Sequence, residues 1–206
     1  NMSTFSQLTT LVQNELPFES KVISNYPPYL YYQPMLKFQK KNMDFGLCYM
    51  FQTTGARISS ADYSGEYAFD SKVNGHSPGI FISGVIKEYS IGRLELSLQT
   101  GLTFSTLKMS EYLRIDTIAS TTESTFKASS VYCEPGLSYS YNVNRMGFQF
   151  NVGYFKEFLR SEYSPEGDGE GSIPVGEKIT DNDVWDGFRI GLTFSYLLNK
   201  NSSDKN

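Results

Sequence analysis

Three groups of side chains have the types and spacing to do chemistry. The single histidine, His76, stands beside Ser77, with Asp62, Glu66 and Asp70 a short way upstream. A serine, a histidine and a carboxylate can together perform acyl transfer, but only when a third group is held at a defined position. No spacing here defines one, and a histidine ahead of Ser-Pro has the composition of a solvated turn. No catalytic residue is therefore assigned, and the chain is not expected to be an enzyme. The second group is the run Glu162, Glu166, Asp168, Glu170, Glu177, Asp181, Asp183 and Asp186, opposed by Lys178 alone. Asp168 with Glu170, or Asp181 with Asp183, could offer oxygen ligands to a hard cation such as Ca²⁺. Neither spacing completes a calcium loop, and an acidic loop kept soluble by its charge is the favoured reading of the run. No metal centre and no cofactor is expected.

The third group is Lys37, Glu95, Glu134, Glu157 and Arg189, accompanied by Gln39, Gln99, Gln149 and Asn151. All of these occupy one parity of alternating segments. The opposite parity is large and apolar, as in Leu94, Leu96, Leu98, Leu102, Phe104 and again in Phe188, Ile190, Leu192, Phe194, Tyr196. Alternation with period two places successive side chains on opposite faces of a strand. The elements that must position the charges are therefore strands with one apolar and one polar face, the pattern of a barrel whose outside meets lipid and whose interior is polar. Charges confined to such an interior need partners. An eight-stranded barrel is just wide enough for side chains to fill it, so these five residues are expected to form a closed ion-pair and hydrogen-bond network in preference to a solute path.

Composition agrees with strands and narrows the function classes. Tyrosine and phenylalanine number fifteen each in 206 residues, with 19% charged residues. No run of apolar residues approaches the roughly 18–20 that a membrane-spanning helix needs, and mean hydropathy is below zero. The net charge of −4 provides no basic stripe for phosphates, which argues against a nucleic-acid partner. Cys48 and Cys133 fall on strands not expected to be neighbours, with opposite orientations, so no disulfide is expected.

Strands are predicted at 29–39, 43–57, 79–89, 93–108, 126–141, 145–160 and 185–198, and an eighth at 16–24 ahead of Tyr26-Pro27-Pro28. In the segment 79–89, Ile80, Ile82 and Ile86 compete with Phe81, Val85 and Tyr89 for the apolar face. Short connections at 40–42, 90–92 and 142–144 alternate with long ones at 58–78, 109–125 and 161–184. Aromatic residues gather near both ends, with Phe38, Phe45, Tyr89, Tyr139, Tyr141, Phe148 and Tyr196 at the short-turn rim. Tyr29, Tyr31, Phe51, Tyr132, Phe158 and Trp185 lie near the other rim, so the two sets have the placement of interfacial belts. Ahead of the strands, Phe5, Leu8, Val12 and Leu16 share one face of a short helix capped by Ser3 or Thr4. The expected organisation is an N-terminal extension over 1–15, a barrel over 16–198 and a polar tail over 199–206.

This pattern resembles small bacterial outer-membrane barrels of the OmpA, OmpX and PorT-like kind, and residues 55–70 are similar to a segment of Bacteroidetes barrel proteins. The resemblance implies an all-β, eight-stranded antiparallel up-and-down transmembrane β-barrel with short periplasmic turns and long extracellular loops. It implies a Gram-negative outer-membrane location, contact with outer-membrane lipid and lipopolysaccharide, and association with other outer-membrane or surface proteins. Asp116-Thr117-Ile118 is similar to a short O-glycosylation sequence of that group. The tail after Leu198 departs from the usual terminal aromatic residue. A non-enzymatic barrel that presents loops for binding or adhesion is the leading expectation; a solute channel, a lipid-modifying barrel and a soluble lipocalin-like barrel are the alternatives.

Overall fold

The structure, a computed structural model, describes residues 21–25, 30–61, 63, 65–143, 146–165 and 185–196. Ten strands form one antiparallel sheet: β1 (Lys21–Asn25), β2 (Tyr31–Tyr32), β3 (Met35–Lys40), β4 (Met43–Ala61), β5 (Gly65–Tyr89), β6 (Gly92–Ile115), β7 (Ile118–Val143), β8 (Met146–Phe158), β9 (Ser164–Pro165) and β10 (Gly187–Tyr196). The long strands follow one another across the sheet in chain order, β4-β5-β6-β7-β8-β10, so the topology is an up-and-down meander. No helix occurs among the described residues. The helix expected within 1–15 and the tail 199–206 lie outside them.

The strand count differs from the expected eight. β1, β2 and β3 all pair with β4, at Ser59 to Ala56, at Gln52 to Phe51 and at Cys48 to Met43. They are pieces of one interrupted edge strand. The chain runs in the same direction along β4 on both sides of Pro27-Pro28, and proline has no N–H to give to a ladder. The two strands expected at 16–24 and 29–39 therefore share one position. With β9 paired to β7, the described residues fill seven strand positions.

Two of the three expected long loops are strands. β4 and β5 remain paired up to Ala61 and Glu66, and β6 and β7 up to Ile115 and Ile118. Asp116 and Thr117 alone make the second turn, with Asp116 at φ 56°, a left-handed conformation that aspartate tolerates. The alternation does not stop at the expected rim; it inverts. Beyond it Ile58, Phe69, Val73, Leu107 and Met109 point inward and are buried, while the outward residues become polar. An inverted phase with serine and threonine outside reads as loop when only outward apolar residues are sought. Of the third long loop, residues 166–184 lie outside the described residues. The competing residues of β5 are also resolved: Ile80, Ile82 and Ile86 share one parity and point outward, Phe81 is buried, and a bulge between Val85 and Lys87 shifts the phase so that Lys87 pairs with Leu94 and Tyr89 is also exposed.

The sheet curls until inner-face residues of its two ends meet. Arg189 of β10 reaches Met50 and Gln52 of β4, and Lys37 of β3 reaches Gln149 of β8. The edges themselves are not hydrogen-bonded to each other among the described residues, and no Cα of β10 lies within 8 Å of one in β1, β2 or β3. Paired strands are about 4.8 Å apart, so the seam is wider than a ladder. A side chain spans it instead: the Tyr31 hydroxyl lies over Gly191, where any Cβ would collide with it. Seven antiparallel positions leave the first and last strands pointing the same way, so they cannot close the sheet through an antiparallel ladder. The open edge is visible in exposure. Phe188, Leu192 and Phe194 of β10 are 72–82% exposed, against 38–47% for Phe148, Phe150 and Val152 on neighbouring β8.

Candidate functional site

The concave face is built in three storeys. Nearest the short turns, Glu95 on β6 is 1% exposed. It accepts hydrogen bonds from Ser140 Oγ (2.6 Å) and Ser83 Oγ (3.3 Å) and forms an ion pair with Arg93. Arg93 Nη2 also reaches Asp44 Oδ2 at 2.8 Å. Lys37 donates to Gln149 Oε1 (2.7 Å), whose Nε2 donates to Ser138 Oγ (2.7 Å), and its ammonium stands 4.8 Å from the Phe81 ring centre. Parity explains the arrangement, since Arg93 and Glu95 are two apart on one strand and must share a face. A polar cavity of about 20 Å³ between this storey and the next, bordered by Gln33, Lys37, Gln99, Glu134, Gln149 and Thr193, has room for about one water.

The middle storey centres on Arg189. Its guanidinium meets Glu134 Oε2 at 3.2 Å and Gln52 Oε1 at 2.7 Å, and lies 3.6 Å from the centre of the Phe155 ring. Phe155 stacks on Tyr132, with centroids 4.9 Å apart and planes 14° from parallel. The Tyr132 ring in turn covers Gly79 and Gly101, paired residues of β5 and β6 whose missing side chains leave the space that it fills. The guanidinium thus lies on an aromatic stack with its charge paired by Glu134.

The top storey is apolar around a polar rim. Ile58, Val73, Leu107, Met109 and Trp185 are essentially inaccessible, and Phe69 is 3% exposed. Trp185, the only tryptophan, donates from Nε1 to Ser105 Oγ at 2.9 Å. Glu157 accepts from Ser130 Oγ (2.6 Å) and pairs with Arg160, while Asp186 accepts from the Glu157 amide (2.8 Å) and pairs with Lys156. Further out, burial pushes the Tyr67 hydroxyl well up, assisted by the Glu111 carboxylate, so it stays protonated.

Of the five residues expected to share a network, the fold brings Glu134 and Arg189 together, links Lys37 to Glu95 through the Gln149 amide, and gives Glu157 other partners. Arg93, Asp44, Arg160 and Asp186 complete the pairs. Arg93 was legible from its i, i+2 spacing to Glu95; Arg160 and Asp186 were not, because both lie outside the regular alternation. Asp168, Glu170, Asp181 and Asp183 lie outside the described residues. Tyr31, Tyr132 and Trp185 do not belong to a belt: Tyr132 and Trp185 are buried in the interior and Tyr31 packs against the same cluster, because their parity is that of Glu134 and Arg189. His76 and Ser77 point to opposite faces. His76 meets Tyr49 Oη through Nδ1 at 2.5 Å and packs against Phe51, while Ser77 is buried and bonds to Thr103 Oγ1 at 3.0 Å. Neighbours in a strand cannot act as nucleophile and base on one substrate.

The convex face changes character along one line. The register Phe51, His76, Phe104, Ser129 runs across β4 to β7. On the short-turn side the outward residues are apolar: Phe45, Leu47 and Tyr49, Ile80 and Ile82, Leu96, Leu98 and Leu102, Leu137 and Tyr141, all 42–59% exposed. On the other side they are Thr53 and Gly55, Asn74 and Lys72, Thr106 and Lys108, Lys127 and Thr125. No family model, no curated protein and no solved structure matches the chain.

Proposed function

We propose that this protein is a non-enzymatic outer-membrane β-barrel of a Gram-negative bacterium, embedded through its convex apolar band, with a side-chain-filled interior and an extended outer part that serves for binding or for association with surface partners. The observation that carries this reading is the band itself, bounded at one register row on four consecutive strands. From Leu94 to Phe104 the strand advances ten residues. At about 3.4 Å per residue and a tilt of about 40° this gives roughly 26 Å along the membrane normal, against a band of about 25 Å in outer-membrane barrels. Contiguous apolar surface of this extent in water would drive aggregation. The likeness to OmpA, OmpX and PorT-like barrels belongs to the same proposal.

The packing inside favours a scaffold over a channel. Arg189 and its aromatic stack occupy the middle of the interior, and Trp185 with Ile58, Val73, Leu107 and Met109 closes the outer end with apolar side chains that offer no path to a hydrated solute. The experiment is flotation of the full chain with phosphatidylcholine vesicles, followed by electrophoresis with and without boiling. A membrane barrel floats and shows a mobility shift on boiling. Recovery in the soluble fraction without detergent, with no shift, overturns the reading. Conductance across a planar bilayer would replace the scaffold with a channel.

A further inference from the structure

The wall of the sheet is open at the depth of the apolar band. One side of the opening is β10, which pairs with β8; the other is β2 and β3, which pair with β4. Among the described residues neither free edge has a strand beside it, so about half of the backbone N–H and C=O groups on each edge point into the opening. Hydrocarbon gives such groups no partner, and sheet edges open to lipid do not occur. The width suits one strand. A strand paired to both edges needs them about 9.6 Å apart, twice the ladder spacing; no Cα of β10 is within 8 Å of one in β2 or β3, yet the Tyr31 side chain still reaches across to Gly191.

Direction is equally defined. β10 descends from Gly187, opposite Phe155, to Tyr196, opposite Met146, and the other edge descends from Tyr31, opposite Gln52, to Lys40, opposite Met43. An antiparallel partner of both must run from the short-turn rim outward. A second copy of this chain in the same membrane presents edges that descend as these do, so it cannot supply that strand. The remaining segments of the chain lack the alternation. Residues 1–16 place Phe5, Leu8, Val12 and Leu16 at helical spacing, and 166–184 and 197–206 are dominated by glycine, charge and amide residues.

We infer that the seam between β10 and β2–β3 binds an extended strand of about ten residues from another polypeptide, which completes the wall by pairing with both edges. The inference rests on the membrane reading above and adds the mode of association and the chemistry of the partner. Outward, the strand is apolar, continuing Phe188, Leu192 and Phe194 on one side and Tyr32 and Leu36 on the other, all of them 52–82% exposed. Inward, two positions are selective. At the height of Gly191 the Tyr31 hydroxyl occupies the inner side of the opening, so the strand takes glycine or another small residue there. Two residues nearer the short-turn rim, Gln33 on one edge and Thr193 on the other border the small polar cavity, which accepts a polar side chain. The strand therefore reads polar-x-small from the rim outward, with apolar residues between. Backbone pairing supplies affinity and the two inward positions supply specificity.

The probe is a synthetic peptide copying Leu94–Phe104, which has the required direction, an apolar face and the order Gln99-Thr100-Gly101. With its glycine at the height of Gly191, its Thr100 lies opposite Leu192. The peptide carrying Thr100→Cys is oxidised with the full chain carrying Leu192→Cys and Cys133→Ser, and separately with Tyr32→Cys and Cys133→Ser, in neutral detergent. Both proteins should form the mixed disulfide, which places the peptide between the edges. A peptide with Gly101→Phe should bind about tenfold more weakly, and the reversed sequence should give no disulfide. The same boiling shift as wild type establishes that each variant folds. No disulfide with either edge, or equal yield from the reversed peptide, overturns the site. A disulfide-linked dimer of the Leu192→Cys protein alone replaces the partner strand with a second copy. An intramolecular disulfide from Leu192→Cys to a cysteine substituted at Thr4, Leu8 or Val12 replaces it with the chain's own N-terminal segment. Failure of the wild type to float with phosphatidylcholine vesicles overturns the membrane reading itself, whereas flotation without peptide capture overturns the strand site alone.

Discussion

Arg189→Met is the most informative single perturbation, because Arg189 ties β10 to four other strands. The wild-type guanidinium pairs with Glu134 on β7 at 3.2 Å and bonds to Gln52 on β4 at 2.7 Å. It also packs on Phe155 of β8 and lies 5.6 Å from the Tyr31 ring of β2. The two side chains of the ion pair are 3% and 10% exposed, so little solvent screens them. Methionine fills much of the volume but leaves Glu134 buried without its counter-charge, a change that costs about 3–5 kcal/mol when one partner of a buried pair is removed. Adding Glu134→Gln removes the stranded charge, and replacement of a whole buried pair by neutral groups is often close to neutral. The double variant should therefore recover most of the loss, with a coupling of about 2–3 kcal/mol in the cycle. Urea unfolding of the full chain in detergent measures both, with Trp185 fluorescence as the signal from the same interior. A single-variant cost below about 1 kcal/mol, or a double variant as unstable as the sum of its parts, would falsify the account of the middle storey.

Three further outcomes follow from the packing. Gly101→Ala should destabilise by roughly 1–3 kcal/mol in urea titrations, since its Cβ would strike the Pro78 carbonyl and the Tyr132 ring; wild-type stability would show that the ring does not sit there. Leu107→Ala, at a fully buried site in the outer storey, should cost about 2–5 kcal/mol and increase quenching of Trp185 by iodide; no loss would mean that this end is loosely packed. Leu98→Lys, on the convex band, should cost about 2–4 kcal/mol in vesicles, whereas Lys108→Gln, beyond the band, should not; equal tolerance of the two would contradict the position of the boundary.

Much of the organisation was legible without coordinates. The alternation of Leu94 to Phe104 and Phe188 to Tyr196 dictated strands, their faces and the meander, because a period of two leaves a strand no choice about which side chains share a side. Glu95, Glu134, Glu157 and Arg189 were found on the concave face for the same reason. Partner choice between strands was not legible. Arg189 meets Glu134 on β7 and Gln52 on β4 because register and curl set which residues occupy one height, and neither is encoded within a single strand.

The sequence by itself thus determined an all-β chain with two chemically distinct faces, since facing is a local property of each alternating segment. Only the tertiary structure decided that the apolar face changes sides beyond Phe51 and Phe104, turning two expected loops into paired strands around a buried Trp185. It also decided that the described strands fill seven positions, with an edge spanned by Tyr31 over Gly191 and no ladder. Both features depend on neighbours distant in the chain. Whether an apolar residue faces another strand across a curl or faces outward is a matter of curvature, and curvature belongs to the whole sheet.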